Sequence, residues 1–290
     1  MGRFTRCWYL VLVGLFGGLT AQAESPVWAL RGAHNTVYLA GSIHLLKPDS
    51  SALPAGFDRA YADADELVME VDLDDLDQGE VQSWMLQHAM FEDEQTLRTT
   101  IGDTRYQRVA TEAQRLGLPI EGLQQFEPWM VALTLVELEY VKLGFDPEQG
   151  VEKQLERRAR ADKKPITGLE TIPEQLGLLD GLSYDDQARF LDLTVTELRD
   201  AEQETDTLVA AWRAGDARKL ASLLGEEYDT FPGLYRTLVT DRNKRWMPEI
   251  ERMLRDDKDY MVVVGALHLV SDGGLLQLVK AKGFEARQLQ

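Results

Sequence analysis

Two short stretches near opposite ends of this 290-residue chain read almost alike: Ala40-Gly41-Ser42-Ile43-His44-Leu45-Leu46 and Val264-Gly265-Ala266-Leu267-His268-Leu269-Val270. In each, an apolar run of strand character (Val37 to Ala40, Met261 to Val264) is broken by glycine, and histidine follows three residues later. Side chains just past the carboxyl ends of parallel strands line the ligand crevice of an α/β sheet, so the repeat predicts two imidazoles brought side by side. The chain has four histidines, and two of them occupy these matching contexts. The structural alternative for the pair is a tight strand exit at each glycine, with each imidazole capping nearby backbone.

A carboxylate would complete such a site. In the strand Leu67 to Leu73, a period of two puts Leu67, Met69, Val71 and Leu73 on one face and Glu70 and Asp72 on the other. Carboxylates buried in this way are paired, hydrogen-bonded or metal-bound, because burying them alone is costly. Two neutral imidazoles and Glu70 form a donor set suited to Zn, Mn, Co or Fe(II). The helical motif H-E-x-x-H is absent, so a metallohydrolase site here must be assembled from strand ends. Glu170, in Gly168-Leu169-Glu170-Thr171, sits at a strand-to-helix junction and reads either as a general base or extra ligand, or as a helix-start carboxylate held by backbone N–H groups. Arg242 can stabilise an oxyanion, bind a substrate carboxylate, or pair with Glu70 or Glu170; Asn243 can donate to the same oxyanion. Asp72 reads as a salt-bridge partner outside the site, His34 as an exposed turn residue, and His88, four residues after Trp84, as a packed or surface helix residue.

The elements that must position these groups are strands at both ends and helices between them. Val27 to Leu30 and Val37 to Ala40 read as a hairpin around Arg31-Gly32-Ala33-His34-Asn35, and Pro54 to Asp65 as a helix leading into the Glu70 strand. The pattern then turns helical over Leu76–Met90, Asp103–Leu116, Phe126–Leu143 and Val151–Ala161. After a short strand, Pro165 to Glu170, come helices over Thr171–Leu179, Asp185–Ala211, Ala217–Leu224 and Tyr235–Leu254. The strand at Met261, a helix from Gly274 to Lys282 and a strand near Glu285 to Leu289 close the chain. The expected fold is α/β: a mixed central sheet with strands from both ends of the chain and a large helical insertion in the middle, forming one domain over 24–290.

Residues 1–23 read as a signal peptide: Arg3 and Arg6 precede an apolar run from Cys7 to Gly18, and Ala21-Gln22-Ala23 suits cleavage. The protein is therefore expected to be exported, periplasmic or secreted, with a mature chain beginning near Glu24. Cleavage removes the single cysteine, so stability must come from the core and any metal. No later segment reads as membrane-spanning, because Trp129 to Leu143 is interrupted by Glu137 and Glu139. Loss of Arg3 and Arg6 takes the net charge from −18 to about −20, which disfavours nucleic acid and anionic lipid as partners.

Together, Gly41-Ser42-Ile43-His44, Leu67-Val68-Met69-Glu70-Val71-Asp72, Gly168-Leu169-Glu170-Thr171, Asp241-Arg242-Asn243 and Gly265-Ala266-Leu267-His268 resemble the motifs of the TraB/PrgY/GumN family, which includes the Tiki proteins. The likeness runs over essentially the whole mature chain to Lys282-Gly283-Phe284-Glu285 and is strongest to exported bacterial GumN-like members. It implies an α/β fold whose two Gly-x-x-His motifs and a glutamate form a metal-dependent site, animal Tiki members being Mn- or Co-dependent proteases. Carried onto this chain, the implied metal residues are His44, Glu70 and His268, with Arg242 and Asn243 as a supporting polar pair. Two positions depart conservatively from the pattern: Asp241 stands where many relatives have Glu, and Glu152 where an Asp follows Gly-Val.

The expected function is a metal-dependent hydrolase, most plausibly a peptidase, acting on a peptide or other small substrate. His44, Glu70 and His268 hold a divalent transition metal (Mn, Co or Zn), Glu170 moves a proton, and Arg242 with Asn243 stabilises the oxyanion. Two alternatives stay open: a metal-free esterase or amidase using histidine as base, and a non-catalytic peptide- or haem-binding protein, since some relatives control peptide pheromones and more distantly similar folds bind haem.

Overall fold

The computed structural model describes residues 24–72, 78–92, 94–199, 201–226 and 231–290. The predicted signal peptide, Leu73 and Leu76 lie outside them. The chain opens with the hairpin β1 (Val27–Arg31) and β2 (Thr36–Ser42), then α1 (Ala55–Asp63) and β3 (Glu66–Val71). The helical middle begins with α2 (Gln78–His88), α3 (Leu97–Arg115), α4 (Pro128–Lys142) and α5 (Val151–Asp162). It is interrupted by β4 (Ile166–Glu170) and resumes with α6 (Ile172–Asp180), α7 (Tyr184–Glu197), α8 (Ala201–Arg213) and α9 (Ala217–Glu226). α10 (Pro232–Tyr235) runs through a π-helical turn, Arg236–Thr240, into α11 (Asp241–Met253). β5 (Tyr260–Gly265), α12 (Ala266–Val270), α13 (Leu275–Ala281) and β6 (Ala286–Gln288) end the chain.

The six strands form one mixed sheet in the order β4-β3-β5-β2-β1-β6. β4, β3, β5 and β2 run parallel, and β1 pairs antiparallel with both β2 and β6. Alternation along the strands sorts side chains into two layers, as a period of two requires. Ala40, Leu67, Met69, Met261 and Val263 pack on one face with α1, α5, α8 and α9. Val37, Leu39, Val68, Val262 and Val264 pack on the other with α11 and α13. Helices α3, α4 and α7 enclose a separate core around Val109, Leu135 and Leu191. The mixed sheet with strands from both ends and a helical middle is as expected from the sequence.

Several boundaries differ from the sequence reading, among them a short helix, α12, at the second histidine motif and a helix that starts at Pro232 rather than Tyr235. The single helix expected over Asp185–Ala211 is two, α7 and α8. The helix expected from Asp103 has an added turn before it: Gly102, at φ 77° and ψ 158°, breaks the helical path between Leu97–Ile101 and the longer run beyond, a conformation glycine adopts without steric cost. Thr96 caps that added turn by accepting from the Thr99 N–H at 3.2 Å. The helix expected to start at Thr171 does so through a capping box, Thr171 N–H donating to Glu174 Oε2 at 2.8 Å and Glu174 N–H to Thr171 Oγ1 at 3.3 Å.

Candidate active site

Strand register brings the two histidine motifs together. In the parallel β2/β5 pair, Gly41 lies opposite Val264 and Ser42 opposite Gly265. β3 flanks β5 on its other edge with Met69 opposite Val263, so Glu70 falls beside the second motif. There the Gly265 N–H donates to Glu70 Oε1 at 2.7 Å. The exit of β2 is pinned from the helical layer, where the buried Trp212 indole donates to the Gly41 carbonyl at 2.7 Å. The loop carrying His44 is strapped to the start of α5: Val151 N–H donates to the Ile43 carbonyl at 3.1 Å.

His268 is buried in α12, and its tautomer follows from its partners. Arg242 Nη1, which can only donate, lies 3.0 Å from His268 Nε2, so Nε2 is the acceptor. Nδ1 therefore carries the proton and donates to Asn243 Oδ1 at 2.7 Å. The Asn243 amide group is fixed in that orientation because Nδ2 donates to the carbonyls of His268 and Gly273, at 3.3 and 3.2 Å. Burial, which disfavours the imidazolium, pushes His268 down to about 4, so it is neutral at pH 7.

Arg242 spends all its donors inside this network. Nη2 bonds Glu70 Oε2 and Glu170 Oε1, each at 2.5 Å, and Nε bonds Glu170 Oε2 at 3.3 Å. Nη1 adds the Leu238 carbonyl at 3.1 Å to its contact with His268. Glu70 also accepts from Gln175 Nε2 at 3.0 Å. Burial alone would raise the Glu70 pKa, but the neighbouring positive groups and the Gly265 N–H outweigh it and bring the carboxyl down to about 2. With His268 neutral, Arg242 and the protonated His44 are the lasting positive sources of that effect. Burial raises Glu170 even against its pairing with Arg242.

His44 is the exposed member, with 71% of its side chain open. Its Nδ1 donates to Glu152 Oε1 at 2.9 Å, and the Ser42 hydroxyl donates to the same oxygen. The adjoining Glu152 carboxylate raises His44 to about 9, so the ring is largely protonated at neutral pH. One imidazole is thus held neutral and the other charged, a separation of the kind that assigns acid and base roles.

A model of the TraB/PrgY/gumN family matches residues 26–288. The chain belongs to this family. Among its relatives, the protein described as "Uncharacterized protein YbaP" of Escherichia coli (strain K12) is 26% identical over 268 residues, covering 88% of this chain and 97% of its own length. An "Uncharacterized protein" of Treponema pallidum (strain Nichols) is 21% identical over 292 residues, covering 96% of this chain and 87% of its own. No solved structure matches.

In this member of the TraB/PrgY/gumN family, His44, Glu70, Arg242 and His268 line one cavity of about 460 Å³. Glu170 and Asn243 stand behind it, against Arg242 and His268. The partners of Asn243 and Arg242 are defined by this placement. The Asn243 amide hydrogens go to the carbonyls of His268 and Gly273, and its Oδ1 orients His268. Arg242 shows the pairing alternative, with its five N–H groups committed to protein acceptors. Asp72 is not among the lining residues. His34 is exposed on the hairpin turn. His88 stacks on Trp84 at 4.4 Å between ring centres and bonds Asp180 at 3.0 Å, beside a different cavity. Sequence reasoning did not place Ser42, Glu152 or Gln175 in the site. Glu152 left a signal, a carboxylate directly after Gly150-Val151; Gln175, one more polar residue in an amphipathic helix, left none.

For a divalent ion the donor set fits in kind. Both imidazoles bind an oxygen acceptor through Nδ1, the outer contact that metal-ligating histidines usually make, and this leaves Nε2 of each as the ligating nitrogen beside the Glu70 carboxylate. The groups are not converged. His268 Nε2 and Glu70 Oε1 are 3.9 Å apart, with Arg242 bonded to both side chains. Among the described residues, no three His, Cys, Asp or Glu side chains stand close enough to form a ligand cage. Arg242 is the group that would have to release contacts.

Proposed function

We propose that this chain is an exported hydrolase, a peptidase in its most specific form, with its reaction centre at His44, Glu70 and His268. The observation that carries the reading is the matched anchoring of the two imidazoles: Glu152 holds Nδ1 of one and Asn243 holds Nδ1 of the other, so Nε2 is the working nitrogen of both. His44, Glu70 and His268 are the residues that would hold a divalent transition metal, Mn, Co or Zn. The chemistry supplied by such an ion is activation of water as a nucleophile at neutral pH. Asn243 fixes the His268 tautomer, and Glu152 orients His44 toward the open cavity. Arg242, anchored by Glu170, keeps Glu70 ionised. The signal-like pattern of residues 1–23 supports export to the periplasm or beyond.

A second reading is favoured by the Arg242 guanidinium itself, which bonds both His268 and Glu70. In it, Arg242 first releases His268 Nε2; neutral His268 then removes a proton from water and protonated His44 delivers one to the leaving group of an ester or amide, with no ion involved.

Elemental analysis of protein purified without chelator or affinity metal, beside His44→Ala and His268→Ala, tests both. About one equivalent of a transition metal in the wild type, absent from both variants, is expected, together with amide cleavage that chelation abolishes and the ion restores. Cleavage that survives exhaustive chelation but is lost in His268→Ala would select the second reading. Stoichiometric peptide or haem binding with no turnover of any amide or ester would overturn both.

A further inference from the structure

The polar groups occupy only the floor of the cavity; its walls are leucine. Leu133 of α4, Leu176 of α6, Leu208 of α8, Leu224 of α9 and Leu238 of the π-helical turn all line it and are all partly exposed. Five separate elements thus turn the same residue type toward one space. Leu208 and Leu224 lean on the core beneath the sheet, whereas Leu133, Leu176 and Leu238 lean on the cluster around Trp129 and Leu234. The cavity opens where these two cores meet, directly above the histidines. Its volume of about 460 Å³ lies within the ~300–1,000 Å³ typical of small-ligand sites.

The charges at the floor are matched to one another. Arg242 is paired with Glu70 and Glu170, and His44 with Glu152. A charged substrate side chain laid along the leucines would find no counter-ion on the wall, and desolvating an unpaired charge is costly. The chain also carries a net charge of −18, which repels acidic substrates before they arrive. An aliphatic side chain, by contrast, gains from every apolar wall it covers.

We infer that this cavity is a specificity pocket for a bulky uncharged aliphatic residue, leucine-like in size, next to the bond that is cleaved in a peptide substrate. The inference rests on the hydrolase reading of the floor and adds the substrate class. A peptide suits the site better than a bare alkyl chain, because the leucine walls end at a polar floor of Ser42, Gln175 and the histidines, where amide groups find hydrogen-bonding partners.

The test is fluorescence anisotropy with dye-labelled, end-blocked pentapeptides that differ only at the central residue: Leu, Gly, Lys or Glu. The Leu peptide is expected to bind at least tenfold more tightly than the Lys and Glu peptides. Leu176→Asn and Leu224→Asn should each weaken the Leu peptide about tenfold and remove the discrimination, with circular dichroism unchanged. Leu176→Ala and Leu224→Ala serve if the Asn variants fail to fold, with a smaller loss in the same order. Equal binding of all four peptides, or leucine variants that bind like wild type, would overturn the inference. Octanoate competing as well as the Leu peptide would overturn the peptide class. Leu-selective binding without turnover would leave the pocket standing and remove the hydrolase reading. Turnover with no preference at the central residue would do the reverse.

Discussion

The buried charges around Arg242 are the most exacting feature at the level of single residues. Its side chain, with those of Glu70 and Glu170, is almost wholly out of water, so each charge depends on the others. Breaking a buried pair by removing one partner costs about 3–5 kcal/mol, much more than a surface pair is worth. Arg242→Met should therefore lower the urea midpoint by an amount equivalent to about 3–5 kcal/mol at pH 7. Part of that loss should return on acidification, as Glu70 and Glu170 take up protons and no longer need a cation. A variant as stable as wild type at pH 7 would show that the triad contributes no net stability. The same substitution frees the His268 Nε2 lone pair and Glu70 together, so a divalent ion should bind Arg242→Met at least as tightly as wild type in calorimetric titration.

Among the elements, the strand ends do the positioning, and one glycine sets how closely the His44 loop can approach. A Cβ at Gly150 would lie 2.1 Å from the His44 carbonyl oxygen, far inside contact distance and against backbone that cannot swing away. Gly150→Ala should displace the loop, separating His44 Nδ1 from Glu152 while leaving the distant α3/α4/α7 core intact. NMR would register this as a fall of the His44 pKa from about 9 toward 6.5 and a weakened Val151 amide protection, with little change in the helical insertion. An unshifted His44 titration would mean that the loop tolerates the methyl group. The sequence made the site's main members legible because their signals are local: glycine ends an apolar run, and a carboxylate falls on the second face of an otherwise apolar β3. Glu170 and Thr171 were legible as a strand-to-helix junction for the same reason. What could not be read was pairing at a distance. That Arg242 would meet Glu70, Glu170 and His268 depends on how α11 packs against the sheet, and no spacing in the chain encodes that packing. The break between α7 and α8 was equally hidden, because helix-forming residues continue through it without glycine or proline. The leucine wall was invisible for a further reason: at helical spacing, leucines that face a cavity look the same as leucines that fill a core.

For the molecule as a whole, the two histidines predict a stability profile that the net charge alone does not. His268 is held near 4 in the fold against 6.5 for a free imidazole. Between those values the unfolded chain binds the proton and the native protein does not, so this contribution is complete above about 6.5 and is lost as pH falls toward 4. His44 works in the opposite sense. Held near 9, it binds a proton in the native state that the unfolded chain releases, so its contribution is complete below 6.5 and is lost as pH rises through 9. Glu70, lowered to about 2, adds a further loss as pH falls from 4.5 toward 2. Self-repulsion in a chain of net charge −18 would by itself ease steadily as pH falls from neutral, favouring a mildly acidic optimum with no steep acid limb above pH 4. The site instead places maximum stability near pH 6.5, with losses on both sides. Denaturation midpoints measured from pH 4 to 9.5 should show that maximum in wild type, a flatter alkaline limb in His44→Gln and a flatter acid limb in His268→Asn. Since solvent screens much of His44, its limb should be the shallower of the two. If both variants keep the wild-type profile, the pH dependence belongs to surface charge, and the histidines are not held in the opposite protonation states that the acid–base reading requires.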